Sequence, residues 1–165
     1  MSDFVFIHIP KTGGTSIRTA LDLWSTTHHT TAREMRRMHP ESSGQFYFTV
    51  VRNPWDRIVS YAHSLRGRKR KNVWDYPNVP LNLTPQVDYV LDEDGTLLVD
   101  FIGRYETLAE DFETICGKIG IPTPPLPHLN RATERRQYRE YFDERAMQFI
   151  ADSYAEDIAR FGYSF

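Results

Sequence analysis

Apolar residues along this chain fall into two patterns. Two runs are short and nearly continuous, Phe4 to Ile9 and Phe46 to Val51. Both are rich in β-branched and aromatic residues and read as buried strands of a parallel sheet covered on both faces. Elsewhere apolar positions recur at helical spacing. Ile17, Ala20, Leu21 and Trp24 predict a helix starting at about Thr15, and Trp55, Ile58, Val59 and Ala62 predict another directly after the second strand. Thr31 with Glu34 is a capping-box pattern and predicts a short helix from Ala32 to about Met38. Thr107 with Glu110 predicts a second box, ahead of the stripe Leu108, Phe112, Ile115 and Ile119, which Gly120 and Pro122 close. Ala146, Met147, Ile150 and Tyr154 mark a helix from Asp143 onward, with a short one after it ending near Phe161. Val87 to Leu91, the acidic turn Asp92 to Gly95, and Thr96 to Ile102 read as a hairpin.

Each clear strand runs into a helix through a turn that carries a cation. After the first, Pro10 stops the ladder and Lys11-Thr12-Gly13-Gly14-Thr15-Ser16 makes a tight, hydroxyl-rich turn. Glycines let backbone approach a ligand closely, the first helical N–H groups lack intrahelical partners, and the helix dipole favours negative charge there. A phosphate-like or sulfate-like group is the expected occupant. The nucleotide motif G-x-x-x-x-G-K-[ST] does not match, because here the lysine precedes both glycines. The second strand ends in Arg52-Asn53-Pro54, with Asn53 a good N-cap and Pro54 a good first helical residue. A magnesium-dependent nucleotide enzyme typically ends such a strand in an acidic residue. The opposite sign argues for a second anion site and against a metal–triphosphate site. Two strands with cationic turns at their ends make an α/β core with ligands outside the carboxyl ends of the strands.

Composition narrows this picture. The 165 residues fit one domain, 1–165, and a formal net charge of -2 gives no global pull toward nucleic acid. No apolar run reaches the roughly 18 residues of a membrane span, and the first residues lack a signal-peptide pattern. Cys116 is the only cysteine, so an internal disulfide and cysteine-based metal clusters are out. A cytoplasmic protein is the expectation. His28 and His29 sit on a polar loop just before a capped helix; adjacent histidines lack the usual helical spacing for one metal, so they read as exposed loop residues or a catalytic base ahead of metal ligands. The basic run Arg66 to Lys71 is a solvated loop or a device that steers an anion. The following Pro- and Asn-rich loop to Pro85 offers Trp74 and Tyr76 for packing or for stacking on a ring.

Ile9-Pro-Lys-Thr-Gly-Gly-Thr-Ser16 followed by Val51-Arg-Asn-Pro-Trp-Asp-Arg-Ile-Val-Ser-Tyr61 resembles the paired signature of the sulfotransferases, in particular the branch with carbohydrate sulfotransferases. The resemblance implies a P-loop-like three-layer α/β/α fold with a central, mainly parallel sheet. It implies transfer of a sulfuryl group from adenosine 3′-phosphate 5′-phosphosulfate (PAPS) to a hydroxyl or amine, leaving adenosine 3′,5′-bisphosphate. Lys11, Thr12, Gly13, Gly14, Thr15 and Ser16 would cradle the 5′-phosphosulfate, with Lys11 neutralising charge on the leaving phosphate. Arg52 and Ser60, eight residues on, would hold the 3′-phosphate. Phe101 to Glu106 is also similar to the family, so Arg104 either helps hold the donor or pairs with a carboxylate. His128 to Thr133 resembles the late loop over the nucleotide, which makes Arg131, Thr133, Arg135 and Arg136 candidate phosphate contacts. No metal is expected, since the protein supplies the cations. Among bases, His29 best resembles the family position, His28 and His39 are rivals, and His8 reads as a core histidine.

The resemblance points to a carbohydrate or similar small acceptor, with no nucleic acid and no membrane among the partners. The chain is shorter than larger relatives, so a partner subunit, a second copy included, is expected to complete the acceptor side if the chain does not do so alone. Two other classes stand beside this one. A non-catalytic nucleotide- or anion-binding module would keep both motifs while its histidines proved dispensable. A P-loop nucleotide kinase would need the metal–triphosphate chemistry that Arg52 argues against.

Overall fold

Phe4–Ile7 (β1), Phe46–Val51 (β2) and Phe101–Arg104 (β3) pair in the order β1-β2-β3, all parallel. Phe4 faces Phe46 across the first pair and Phe48 faces Phe101 across the second. The structure, a computed structural model, describes residues 4–23, 29–66, 83–127 and 136–165. Trp24, His28, the basic run beyond Arg66, Trp74, Tyr76 and the late loop with Arg131, Thr133 and Arg135 lie outside the described residues. The chain divides into two compact units, Met1–Val51 with Gln86–Leu129, and Arg52–Pro85 with Asn130–Phe165.

The first unit holds the sheet. Side chains alternate across a strand, so Phe4 and Phe6 share a face with Phe46, Phe48 and Val50. On that face they pack with Ile17 of α1 (Gly14–Ala20) and with Phe112, Ile115 and Cys116 of α5 (Leu108–Lys118). Fully burying each such side chain contributes roughly 1.5–3 kcal/mol. The other face carries Tyr47, which is fully buried. The Arg36 guanidinium of α2 (Ala32–Met38) lies over its ring at 4.5 Å and donates to the Leu98 carbonyl at 3.0 Å. Helices thus cover both faces, which is why the strands read as continuous apolar runs. Thr49 is the polar exception, and its buried hydroxyl donates to the Ile7 carbonyl at 2.7 Å.

Two expectations need correction. The hairpin is absent, because Val87–Val90 is a single helical turn (α4). Val87, Tyr89 and Val90 are all buried there, where a half-covered strand would hide every second residue. The acidic turn exists and is closed by one antiparallel bridge, Leu91 to Leu97, with Asp92 N–H donating to the Thr96 carbonyl at 2.9 Å. Its second arm then leaves to become β3. Asp100 steers that departure: its N–H donates to the Tyr47 carbonyl and its carboxylate accepts from the Tyr47 N–H, both at 2.7 Å. The second expectation is the capping box at Thr107, whose side chain caps no amide. Its hydroxyl donates instead to Asp111 at 2.8 Å, on the same oxygen that accepts the Arg104 N–H at 2.7 Å. The box at Thr31 forms fully, with both reciprocal bonds to Glu34.

The second unit is helical among its described residues: α3 (Pro54–Arg66), α6 (Glu144–Ser153) and α7 (Ala155–Phe161). Trp55 and Ile58 of α3 pack with Ala146, Ile150 and Tyr154. Trp55 also donates from Nε1 to the Met147 carbonyl at 3.0 Å. Asp143 caps α6 by accepting from the Ala146 N–H at 2.8 Å. Phe165 packs its ring against Trp55, Tyr138 and Phe142, with centroids 5.5, 5.7 and 6.3 Å away.

Candidate active site

The turn after β1 is shaped by its backbone. Lys11 (φ 71°) and Gly13 (φ 87°) both adopt the left-handed region. That is free for glycine and costs lysine roughly 1–2 kcal/mol. Thr12 lies between them, fully buried, and its hydroxyl donates to the Ile9 carbonyl at 2.9 Å. This bond closes the turn from inside, so the Thr12 hydroxyl is committed to the protein and not to a ligand. The Gly13 carbonyl accepts from the Ser16 and Ile17 N–H groups at 3.0 and 3.4 Å, which starts α1. Close approach explains both glycines. A Cβ on Gly13 would lie 2.9 Å from Leu108 Cδ2, and one on Gly14 would clash with the His8 imidazole at 2.0 Å from Cδ2. Lys11 is half-buried, Thr15 exposed and Ser16 buried.

His8 leaves the strand just before this turn and stacks on Phe6 at 5.7 Å between ring centroids. It is half-buried and lies at the turn, where the sequence suggested a core position. Its other neighbour is His29, with ring centroids 4.8 Å apart and planes at 50°. His29 Nδ1 is 3.2 Å from the His8 carbonyl oxygen. A carbonyl oxygen can only accept, so Nδ1 carries the proton and, in the neutral ring, Nε2 carries the lone pair. The first unit therefore brings together the Lys11–Ser16 turn and His29, with His8 touching both. His39 sits at the other end of α2, where its Nδ1 is 3.0 Å from Glu41 and its carbonyl accepts from Ser42. Arg104 is exposed at the end of β3, in the segment whose next residue, Tyr105, backs Gly13. Among the described residues no group of three or more His, Cys, Asp or Glu is placed to hold a metal ion.

The second unit opens with Arg52. Its side chain is 3% exposed, and Nε donates to Asp56 at 2.7 Å. Asn53 caps α3 by accepting from the Trp55 and Asp56 N–H groups at 3.1 and 3.4 Å. It also donates from Nδ2 to the Ser164 carbonyl at 2.9 Å. Arg52, Asp56 and Ser60 recur every four residues and so share one side of the helix start. Ser60 is half-buried. Arg136 is exposed, and its N–H donates to the Tyr141 hydroxyl at 3.1 Å.

Sequence reasoning read His8 as a core residue and missed Asp56. Asp56 had a signal, the i,i+4 spacing from Arg52; His8 had only its polarity at the end of an apolar run. Arg57 was missed too. It is buried and donates to the Thr84 carbonyl at 2.9 Å, beside Tyr154, whose hydroxyl donates to the Leu83 carbonyl at 2.7 Å. Burial pushes the Tyr154 hydroxyl up to about 12, so this cluster is a structural tie.

Residues 2–70 match the sequence profile of the sulfotransferase family, a stretch that contains both motifs. The amino-terminal part of the chain is thus similar to the sulfotransferase family. An uncharacterised protein of Archaeoglobus fulgidus is 32% identical over 103 residues, which are 55% of this chain and 81% of its own. The fold is also that of a mouse sulfotransferase solved in complex with PAP, at TM-score 0.60 and 14% identity, covering 95% of this chain and 84% of the mouse chain. A sulfotransferase from Alicyclobacillus acidocaldarius aligns at TM-score 0.42 and 21% identity, over 81% of this chain and 61% of its own. The P-loop-like α/β fold with a parallel sheet is thus the sulfotransferase fold. Sulfuryl transfer is the chemistry that family carries. Among the described residues no helix is long and apolar enough to cross a membrane.

Proposed function

We propose that this protein is a sulfotransferase that uses PAPS as donor and a hydroxyl, on a carbohydrate or similar small molecule, as acceptor. The observation that carries the reading is the turn itself: a half-buried lysine and two glycines in a strained, internally stapled backbone, with an imidazole beside it in the tautomer a base requires. A tightly curved turn of this kind suits a tetrahedral anion. The 5′-phosphosulfate would lie against Lys11 and the backbone of Thr12, Gly13, Gly14, Thr15 and Ser16. Arg52 and Ser60 would take the 3′-phosphate, with Asp56 fixing the guanidinium plane. Arg104 and Arg131 are further candidates for phosphate contact.

The donor supplies an activated sulfuryl group on a good leaving phosphate. His29 Nε2 would accept the acceptor's O–H proton as its oxygen bonds to sulfur. The bridging S–O bond to phosphate breaks, and Lys11 neutralises the charge left on PAP, the adenosine 3′,5′-bisphosphate product. The protein's own cations serve here in place of a metal. A cytoplasmic setting and assembly with a second copy belong to the same proposal.

Thermal unfolding with PAP, 5′-AMP, and ATP plus magnesium in parallel tests the donor. At about a hundred times its dissociation constant a ligand stabilises by about 2.7 kcal/mol, a readable melting shift. Selective stabilisation by PAP without metal is expected. Stabilisation only by ATP with magnesium would replace this reading with a kinase.

A further inference from the structure

We propose that His8 is a positioning residue that fixes the tautomer and orientation of His29. The inference rests on the reading of His29 as the base and adds the residue through which that base is held. Three observations converge. The His8 ring fills the space that any side chain at position 14 would need, so it is wedged between the anion turn and the loop before α2. Its opposite neighbour on β1 is the Phe6 ring, which stacks on it and limits its rotation. Its main chain and its ring both meet His29, through the Nδ1–carbonyl contact of 3.2 Å and the ring contact of 4.8 Å.

His29 has a φ of 61°, a conformation an L-residue keeps only where its surroundings over-determine it. The capping box begins two residues later, at Thr31, and anchors that side of the loop. On the other side His8 is the anchor. A ring at position 8 keeps the local chain in the path that presents the His8 carbonyl to Nδ1. With Nδ1–H so engaged, Nε2 is the proton-accepting nitrogen. Without the ring the carbonyl is free to turn, and the imidazole is released to exchange tautomers. His8 touches no reacting atom in this scheme and acts only through His29.

Nitrogen-15 NMR of the histidine rings reads tautomers directly and needs no acceptor. The full chain would be labelled, with the His29 signals assigned by their loss in His29→Gln. Wild type should show His29 as the Nδ1–H form. His8→Ala should move it to a mixture dominated by Nε2–H while keeping the melting shift with PAP. His8→Phe, which retains a flat ring against Gly14 and Phe6, should keep the Nδ1–H pattern, and it decides the matter if His8→Ala does not fold. An unchanged His29 pattern in His8→Ala, loss of the pattern in His8→Phe, or an Nε2–H form in wild type overturns the proposal. A wild-type protein with the Nδ1–H pattern but no PAP shift would reject the donor assignment and leave the positioning role standing.

Discussion

The turn at Lys11–Ser16 and the turn at Arg52–Pro54 both follow strands of one sheet and both carry a cation, but different parts of the chain build them. In the first, the backbone is the device. Lys11 and Gly13 are left-handed, the Thr12 hydroxyl is spent on Ile9, and Gly14 has no room for a Cβ. In the second, side chains are the device. Asp56 holds the Arg52 guanidinium at 2.7 Å, while Asn53 caps α3 and ties itself to the Ser164 carbonyl. A backbone turn offers N–H groups in fixed directions and suits a rounded anion that many donors share. A planar guanidinium held by a carboxylate offers directional selectivity. The first turn should therefore govern whether an adenine nucleotide binds, and the second which one.

Arg52→Met tests the side-chain device most severely. Removing one partner of a buried ion pair costs about 3–5 kcal/mol, because Asp56, with its side chain only 15% exposed, keeps its charge. Urea unfolding should show that loss, and the variant should stabilise equally with PAP and 5′-AMP. Retained preference for PAP would move the 3′-phosphate site away from Arg52. Gly14→Ala is the counterpart on the backbone device. Forcing a methyl into the His8 ring costs about 1–3 kcal/mol by overpacking. Melting shifts with PAP and 5′-AMP should vanish together in this variant. Selective loss of one would contradict the division of labour.

What the sequence made legible follows the same line. β1, β2, α2 and α3 were readable because each is specified locally, by continuous apolar runs or by caps such as Thr31 and Asn53. The cationic turns were readable because glycine, lysine and arginine at strand ends have few other uses. The hairpin failed because β3 is specified by a distant partner. Asp100 and Tyr47 exchange hydrogen bonds across 53 residues, and no local pattern announces that pairing. Thr107 failed as a box because Asp111 competes for its hydroxyl, a choice made by β3 and α5 together. His8 was placed in the core for its apolar neighbours. Its position against Gly14 and His29 depends on two segments meeting in space, which one-dimensional periodicity does not record.

Thr12→Val separates the internal staple of the turn from its ligand contacts. It keeps the shape and removes one hydroxyl, leaving the buried Ile9 carbonyl without that donor, for a cost of about 1 kcal/mol. Thr12→Ser should recover most of that in urea unfolding. If both variants unfold like wild type, the left-handed backbone holds itself and the staple is incidental.

The smallest effect is expected at the cap that anchors the His29 loop. Thr31→Ala removes an N-cap hydroxyl and should cost about 0.5–1 kcal/mol, at the exposed end of the usual range. It carries a pH signature as well. The Thr31 N–H and hydroxyl donate to Glu34 at 2.9 and 3.0 Å, and the backbone bond first, then the hydroxyl bond, hold the Glu34 carboxyl below its ordinary value of 4.5. A group whose folded value is depressed stabilises the protein above its unfolded value and loses that contribution as pH falls through the folded one. Wild type should therefore lose part of the cap's stabilisation below about pH 4.5, the ordinary glutamate value. Thr31→Ala, which keeps only the backbone bond, should lose less over the same window. The difference in melting temperature between the two proteins should accordingly narrow as the solution is acidified from pH 7. A difference that stays constant would mean the Thr31–Glu34 bonds do not depend on the charge of the carboxylate.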